Sequence, residues 1–376
     1  MDVAEPKISV ESNTLRPAKF YIPSLDGFRT VAFLLVFVSH AGLGHLIPGG
    51  FGVTIFFFLS GYLITTLLRR EYARSESIDF KNFYMRRILR IWPPFYLVLI
   101  LAAVASYLAN PEAGITFQSI GAFLAQSLHI ANYYIIGFGS QGMPLGSNVY
   151  WSLAVEEHFY LIFPLLYVLL LKSGIKARKQ AWVLWGICFL VLIWRCILVF
   201  SMGADSDRIA YGTDTRLDSI LFGCALAVSG NPMLDKQNQV SERSLKYFLF
   251  PLGITLILCS LLYRSESFRD TLRYSIQGIA LYPVFIAAIR CPDWWVFRAL
   301  NWGWVRFLGI LTYSLYLVHF TVIESISLSF PQLGLLTIGV LSLLITLILS
   351  YAIYQLVELP ANQLKRKVTS SGLRQH

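Results

Sequence analysis

The sequence predicts an all-α, polytopic membrane protein of about ten transmembrane helices with both termini in the cytoplasm. Three observations carry that expectation. The 376 residues are 56% hydrophobic and only 14% charged, with a mean hydropathy of +0.60, whereas a soluble domain carries about 25% charge. Apolar runs of roughly 20 residues, each long enough to cross a bilayer as a helix, recur along the chain. The net charge of +10 is gathered into the short connections between those runs, as loops on the cytoplasmic side require. A nucleic-acid partner would need a water-exposed basic module, and the sequence has none.

In chain order the apolar stretches are 28–47, 51–69, 91–109, 115–138, 149–171, 181–201, 214–230, 246–263, 272–290, 304–326 and 333–357. Basic clusters at 69–90 and 172–179 frame a stretch from Ile91 to Leu171 without Lys or Arg. If both clusters are cytoplasmic, the chain crosses an even number of times between them, so one of the three intervening stretches does not span. The middle one, 115–138, is the candidate for a re-entrant or interfacial segment, because Gln118, Gln126, His129 and Asn132 are costly to expose to lipid. One loop fits poorly: Arg264, Arg269 and Arg273 fall on the side this arrangement places outside.

Residues 1–20 have no apolar core for a cleavable signal and read as a disordered cytoplasmic arm, with the first helix as an uncleaved anchor. Residues 21–360 form one membrane domain, and 361–376, with Lys365, Arg366 and Lys367, a basic cytoplasmic tail. The five cysteines are scattered without ligand spacing, so neither disulfides nor a metal site is expected.

An ionisable side chain inside an apolar helix is expensive, and each one is therefore a candidate site residue. The first helix carries Asp26, Arg29 and His40 in SLDGFRTVAFLLVFVSHAG. On a regular helix Arg29 and His40 point within about 20° of each other, about 16 Å apart along the axis, with Asp26 on the same side. Arg86, Arg87 and Arg90 lie in NFYMRRILRIWPPFY; forked guanidinium donors suit phosphate, although anchoring to lipid head groups is an equally ordinary use. Pro93 and Pro94 are expected to kink that helix. Glu156 and Glu157 open an apolar run in WSLAVEEHFY, where one can face the interior and the other water. Arg216 and Asp218 sit in TRLDSILFGC, either as site residues or as an ion pair fixing two helices, and Tyr316 and His319 lie in YSLYLVHF.

Taken in order, these blocks resemble the acyltransferase-3 family of integral membrane acyltransferases, from SLDGFRTVAFLLVFVSHAG through GGFGVTIFFFLSGYLIT, FYMRRILRIWPPFY, WSLAVEEHFYLIFPLL, TRLDSILFGCALA and YSLYLVHF to a closing VELP. The resemblance implies an O-acyltransferase of acetyl type in a bacterial inner membrane, which moves an acyl group from cytoplasmic acyl-CoA to a carbohydrate hydroxyl. It places the family's catalytic histidine on His40 and its supporting arginine on Arg29. Its RxxR motif, implicated in acyl-CoA handling, falls on Arg87 and Arg90. Its glutamate falls on Glu156 or Glu157. Where the family often has Asp, this chain has Thr54, which keeps a hydroxyl, loses a charge and is given no catalytic role. No esterase-like domain is appended, so a stand-alone membrane module is expected.

The expected chemistry follows. Acetyl-CoA, a co-substrate rather than a resident cofactor, docks on Arg86, Arg87 and Arg90. His40 deprotonates the acceptor hydroxyl, or carries the acyl group itself. Arg29 or a backbone donor supports the oxyanion. Glu156, Glu157, Arg216, Asp218, Tyr316 and His319 line the acceptor side. The rival reading is a polysaccharide or small-molecule transporter or flippase without acyl transfer, against which the sequence shows no inverted repeat.

Overall fold

The computed structural model describes residues 21–235 and 240–364, and every regular element among them is helical. The arm expected at 1–20 and the basic tail from Lys365 lie outside the described residues. The first residues assigned to that tail, 361–364, continue the last helix.

Helix α1 spans Leu25–Val38 and continues into a π turn, Ser39–Leu43, where Ala41 and Gly42 leave helical geometry and Gly42 takes φ 99°. Helix α2 is Gly49–Ser75 and α3 is Phe80–Ala109. Asp79 caps α3 by accepting from the Asn82 backbone N–H at 2.9 Å, and that bond holds its carboxyl below the ordinary 3.8. Pro93 and Pro94, expected to kink the helix, lie inside one unbroken α3.

The stretch 115–138 does not form a single span. It divides into α4, Phe117–Ser127, and α5, Ala131–Phe138, each too short to cross a bilayer. His129 breaks them apart at φ 55°. The polar residues that marked this segment bond to protein: Gln126 Nε2 donates to Ser147 Oγ at 2.6 Å, and Asn132 Nδ2 to Thr213 Oγ1 at 3.0 Å.

Helices α6, Trp151–Lys172, α7, Ala177–Phe200, α8, Ser206–Tyr211, and α9, Thr213–Val228, follow. The remaining long ones are α10, Phe250–Leu262, α11, Leu272–Arg290, α12, Gly303–Ser329, and α13, Leu335–Ile353. Among the described residues, nine helices are long and apolar enough to cross a membrane. Helix α9 is the exception at 16 residues. It is buried along nearly its whole length, so it needs no lipid-facing apolar surface. Nine such helices among the described residues stand against about ten expected, with α9 enclosed among them.

Helix α9 runs parallel to α2 at the centre of the bundle. Thr54 meets Arg216 at one end, and Thr66 and Tyr62 meet Asn231 at the other. Two glycines permit this approach: a Cβ on Gly61 would strike the Ile220 carbonyl, and one on Gly223 the Phe58 carbonyl. Without lipid-excluded hydrophobic drive, small residues that let backbones touch are what hold membrane helices together. At the periphery α13 buries chiefly Ser342, Thr346 and Ser350 and turns Leu336 and Ile348 outward.

Candidate active site

Two cavities enter the bundle from opposite ends of α2. The first, about 190 Å³, reaches Leu67 and is lined by Arg29, Arg87, Arg90, Glu156, Glu157 and Tyr160. The second, about 520 Å³, begins at Gly49 and Gly50 and contains His40 and Arg216. From Gly50 to Leu67 the helix rises about 25 Å, nearly the hydrocarbon thickness of a bilayer. Val53 and Tyr316 line both cavities and form the wall between them. Tyr316 is pinned there: its hydroxyl shares a 2.7 Å hydrogen bond with Ser152 Oγ and donates to the Val149 carbonyl at 3.1 Å.

His40 sits in the π turn that ends α1, about 16 Å along the axis from Arg29. Arg29 faces the first cavity and His40 the second. The two are separated along the helix axis: the residues that leave helical geometry, Ala41 and Gly42, come only after His40. Asp26 accepts from Arg29 Nη1 at 2.6 Å.

His319, expected on the acceptor side by itself, is His40's direct partner. His40 Nδ1 lies 3.0 Å from His319 Nε2, and the rings stack at 5.2 Å with 12° between their planes. The proton positions follow from one fixed point. His319 Nδ1 lies 2.7 Å from the Tyr316 carbonyl, which can only accept. His319 Nδ1 therefore carries its proton, its Nε2 accepts, and His40 Nδ1 donates. That leaves Nε2 of His40 as the unprotonated nitrogen of a neutral pair. Phe320, 4.6 Å from the His40 ring, and Phe33, 5.8 Å from that of His319, enclose the dyad in apolar contacts.

The arginines of α3 do not act as one platform. Arg86, expected to dock the donor together with Arg87 and Arg90, turns to Glu71 at 3.0 Å. Arg87 and Arg90, one turn apart, line the first cavity. Arg87 lies over the Tyr160 ring at 5.4 Å. Glu156 accepts from Tyr160 at 2.6 Å and from Ser60 at 3.0 Å, so both oxygens are held. Glu156 and Glu157 thus stand with the arginines, and not on the His40 side where an acceptor was expected.

Arg216 and Asp218 also part company. Asp218 lines neither cavity; it pairs with Arg195 at 2.7 Å, with both side chains fully buried. Ser275 donates to it at 3.0 Å and the Ser219 N–H at 2.8 Å. Two residues apart on a helix means about 200° of rotation, so the two side chains look in opposite directions. Arg216 is 2% exposed and lies 3.9 Å from the Tyr274 ring. It donates to Thr54 Oγ1 at 3.2 Å and to the Ala210 carbonyl at 3.1 Å, while its Nε has no partner.

Arg195 was missed by the sequence reading, although a lone arginine within the apolar stretch 181–201 was a visible signal. Ser60, Ser152 and Tyr160 gave none, since serines and tyrosines are ordinary in membrane helices. Among the described residues no His, Cys, Asp and Glu cluster could hold a metal ion.

The acyltransferase domain of the acyltransferase-3 family matches residues 22–355. A peptidoglycan O-acetyltransferase, OatA, of Listeria monocytogenes is 32% identical over 82% of this chain and 50% of its own length. A putative O-acetyltransferase of Staphylococcus aureus is 31% identical over 90% of this chain and 57% of its own. A putative peptidoglycan O-acetyltransferase, YrhL, of Bacillus subtilis is 33% identical over 90% and 55%. The chain spans about half the length of the curated relatives it matches. No solved structure matches it.

Proposed function

This chain belongs to the acyltransferase-3 family of multi-pass membrane proteins, and from that premise we propose that it transfers an acetyl group from acetyl-CoA to a hydroxyl of a peptidoglycan-type carbohydrate. The observation that carries the reading is the hydrogen bond between His40 and His319, with His40 lining a cavity separated by a single wall from an arginine-lined one.

In this reading the end of the bundle with Arg69, Arg70, Arg74, Arg86 and the 172–179 cluster faces the cytoplasm. Acetyl-CoA enters the first cavity with its phosphates on Arg29, Arg87 and Arg90. Glu156 and Glu157 keep these guanidiniums from collapsing on one another when the cavity is empty. The apolar residues Leu63, Leu67 and Ile91 suit the pantetheine arm. The acyl end passes the wall at Val53 and Tyr316 to reach His40.

His40 Nε2 takes the proton of the acceptor hydroxyl as its oxygen bonds to the thioester carbonyl carbon. Collapse of the tetrahedral intermediate breaks the carbon–sulfur bond, and the departing thiolate takes that proton from the imidazolium. His319 is a positioning residue: it accepts from Nδ1 and stabilises the cation that forms between the two steps. A route through acyl-imidazole at Nε2 uses the same geometry with two half-reactions.

The test is acyl transfer by the purified full chain. With acetyl-CoA labelled in the acetyl group and N-acetylmuramic acid-containing glycans, label should appear on the sugar with one free thiol released per transfer. His40→Ala should abolish both. Full turnover in that variant, or no thiol release by the wild-type chain under any acceptor, overturns the proposal; the second result is also what a pure transporter would give.

A further inference from the structure

The His40 cavity carries a charge imbalance that acyl transfer to a neutral sugar does not call for. Arg216, Arg264, Arg269 and Arg273 all line it, and no Asp or Glu does. The nearest carboxylates are committed elsewhere or face away. Asp218 is locked to Arg195, Asp270 accepts from Ser206 at 2.6 Å, Glu266 is exposed at the start of the short helix Glu266–Asp270, and Asp207, near Tyr211, is exposed; neither of these last two lines the cavity.

Arg216 is the most telling of the four. It is 2% exposed, has no carboxylate partner, and is satisfied only by two neutral oxygens while its Nε bonds to nothing. A buried guanidinium normally demands a paired anion. Aromatic faces at Tyr274, Phe57 and Trp151 offset part of that cost by cation–π attraction without neutralising the charge. Arg273 follows the same pattern, lying over the Tyr274 ring at 4.8 Å with its own Nε unpartnered. Arg264 and Arg269 are exposed at the rim. These last three residues lie in the connection into α11 and its first turn, at the end of the bundle opposite the basic cluster at 69–90, so membrane orientation does not account for them.

We propose that the His40 cavity is an anion site, and that the acceptor it takes is a sugar bearing a carboxylate or phosphate, held by Arg216 and Arg273 with its hydroxyl toward His40. A cavity of about 520 Å³ lies within the range of small-molecule sites, about 300–1,000 Å³. Forked donors on an oxyanion fix its orientation as well as its affinity. Arg264 and Arg269 draw the anion in from the mouth. The inference deepens the acyl-transfer reading of His40 and rests on it for the word acceptor.

The experiment separates the two. Binding to the full chain in detergent is measured by calorimetry for two matched pairs: N-acetylmuramic acid against its methyl ester, and glucose 6-phosphate against glucose. At least one anion should bind about tenfold or more tightly than its neutral twin, with the advantage shrinking as salt is raised. Arg264→Ala with Arg269→Ala should reduce that preference severalfold. So should Thr54→Asp, which offers Arg216 a carboxylate; melting temperatures confirm that both variants fold. Equal affinity within both pairs, or a preference that neither variant alters, overturns the proposal. Adenosine 3′,5′-diphosphate distinguishes the donor's phosphates as the source. If its affinity falls in the Arg264/Arg269 variant and not in Arg87→Ala, the anion is the donor's and the proposal fails. Charged-sugar preference without acetyl transfer leaves the site standing and removes the enzymatic reading; transfer without preference does the reverse.

Discussion

The two cavities differ in how their charge is balanced. The first brings three guanidiniums together with two carboxylates, and Tyr160, Ser60 and Leu63 fill in around them. Its arginines are compensated inside the protein and can exchange internal partners for a ligand's phosphates. The second holds four guanidiniums and two histidines, His40 and His45, with no acidic side chain. None of these four guanidiniums has a carboxylate at ion-pair distance among the described residues. The same residue type therefore does different work on the two sides of the Val53–Tyr316 wall, because charge in a low-dielectric interior is governed by its immediate neighbours.

Substitutions on either side of the wall should separate accordingly. The largest effect is expected at His40. His40→Ala should lower kcat by about 10²–10⁴, the usual contribution of a general base; steady-state acetyl transfer by the folded variant measures it. An undiminished kcat would detach the second cavity from the chemistry. Next is Asp218, which is close to Arg216 in sequence and faces neither cavity. Asp218→Ala leaves Arg195 buried without its counter-ion and should cost about 3–5 kcal/mol of stability, read by denaturant unfolding in detergent. A variant that keeps its stability and loses acceptor affinity instead would return Asp218 to the acceptor side.

In the first cavity the contrast is between neighbours. Arg87→Ala should raise KM for acetyl-CoA by about 10–100-fold, the range for charge-assisted hydrogen bonds. Arg86→Ala, which breaks a half-exposed pair with Glu71, should change KM by about twofold or less. Equal effects would restore the undivided arginine platform. The smallest effect is at Asp79, which fixes the start of the helix bearing those arginines. Asp79→Ala should cost about 1 kcal/mol. Because its carboxyl is held below the ordinary 3.8, the cap contributes fully above that value and is lost as pH falls through the lowered one. A melting curve against pH that is identical in wild type and variant would show that the cap contributes nothing.

Much of this molecule was legible in one dimension. Apolar length fixed the long helices, because a bilayer demands about 20 residues per crossing whatever the neighbours are. The cost of polar groups in lipid marked 115–138 as a segment that does not span, and marked His40, Arg29, Arg87 and His319 as residues with partners to find. The order of short blocks was enough to name the family.

Partnership was decided only by tertiary structure. Arg29 and His40 share one helix, yet Val53 from α2 and Tyr316 from α12 come between them and assign them to different cavities. Arg216 and Asp218, adjacent in the sequence pattern, belong to a cavity and to a buried ion pair because Arg195 arrives from α7. His40 and His319, 279 positions apart, meet because α1 lies against α12. Hydropathy is a property of each residue and its immediate run, so it survives in the sequence. Which charge meets which depends on the rotation and neighbours of whole helices, and no local pattern records that.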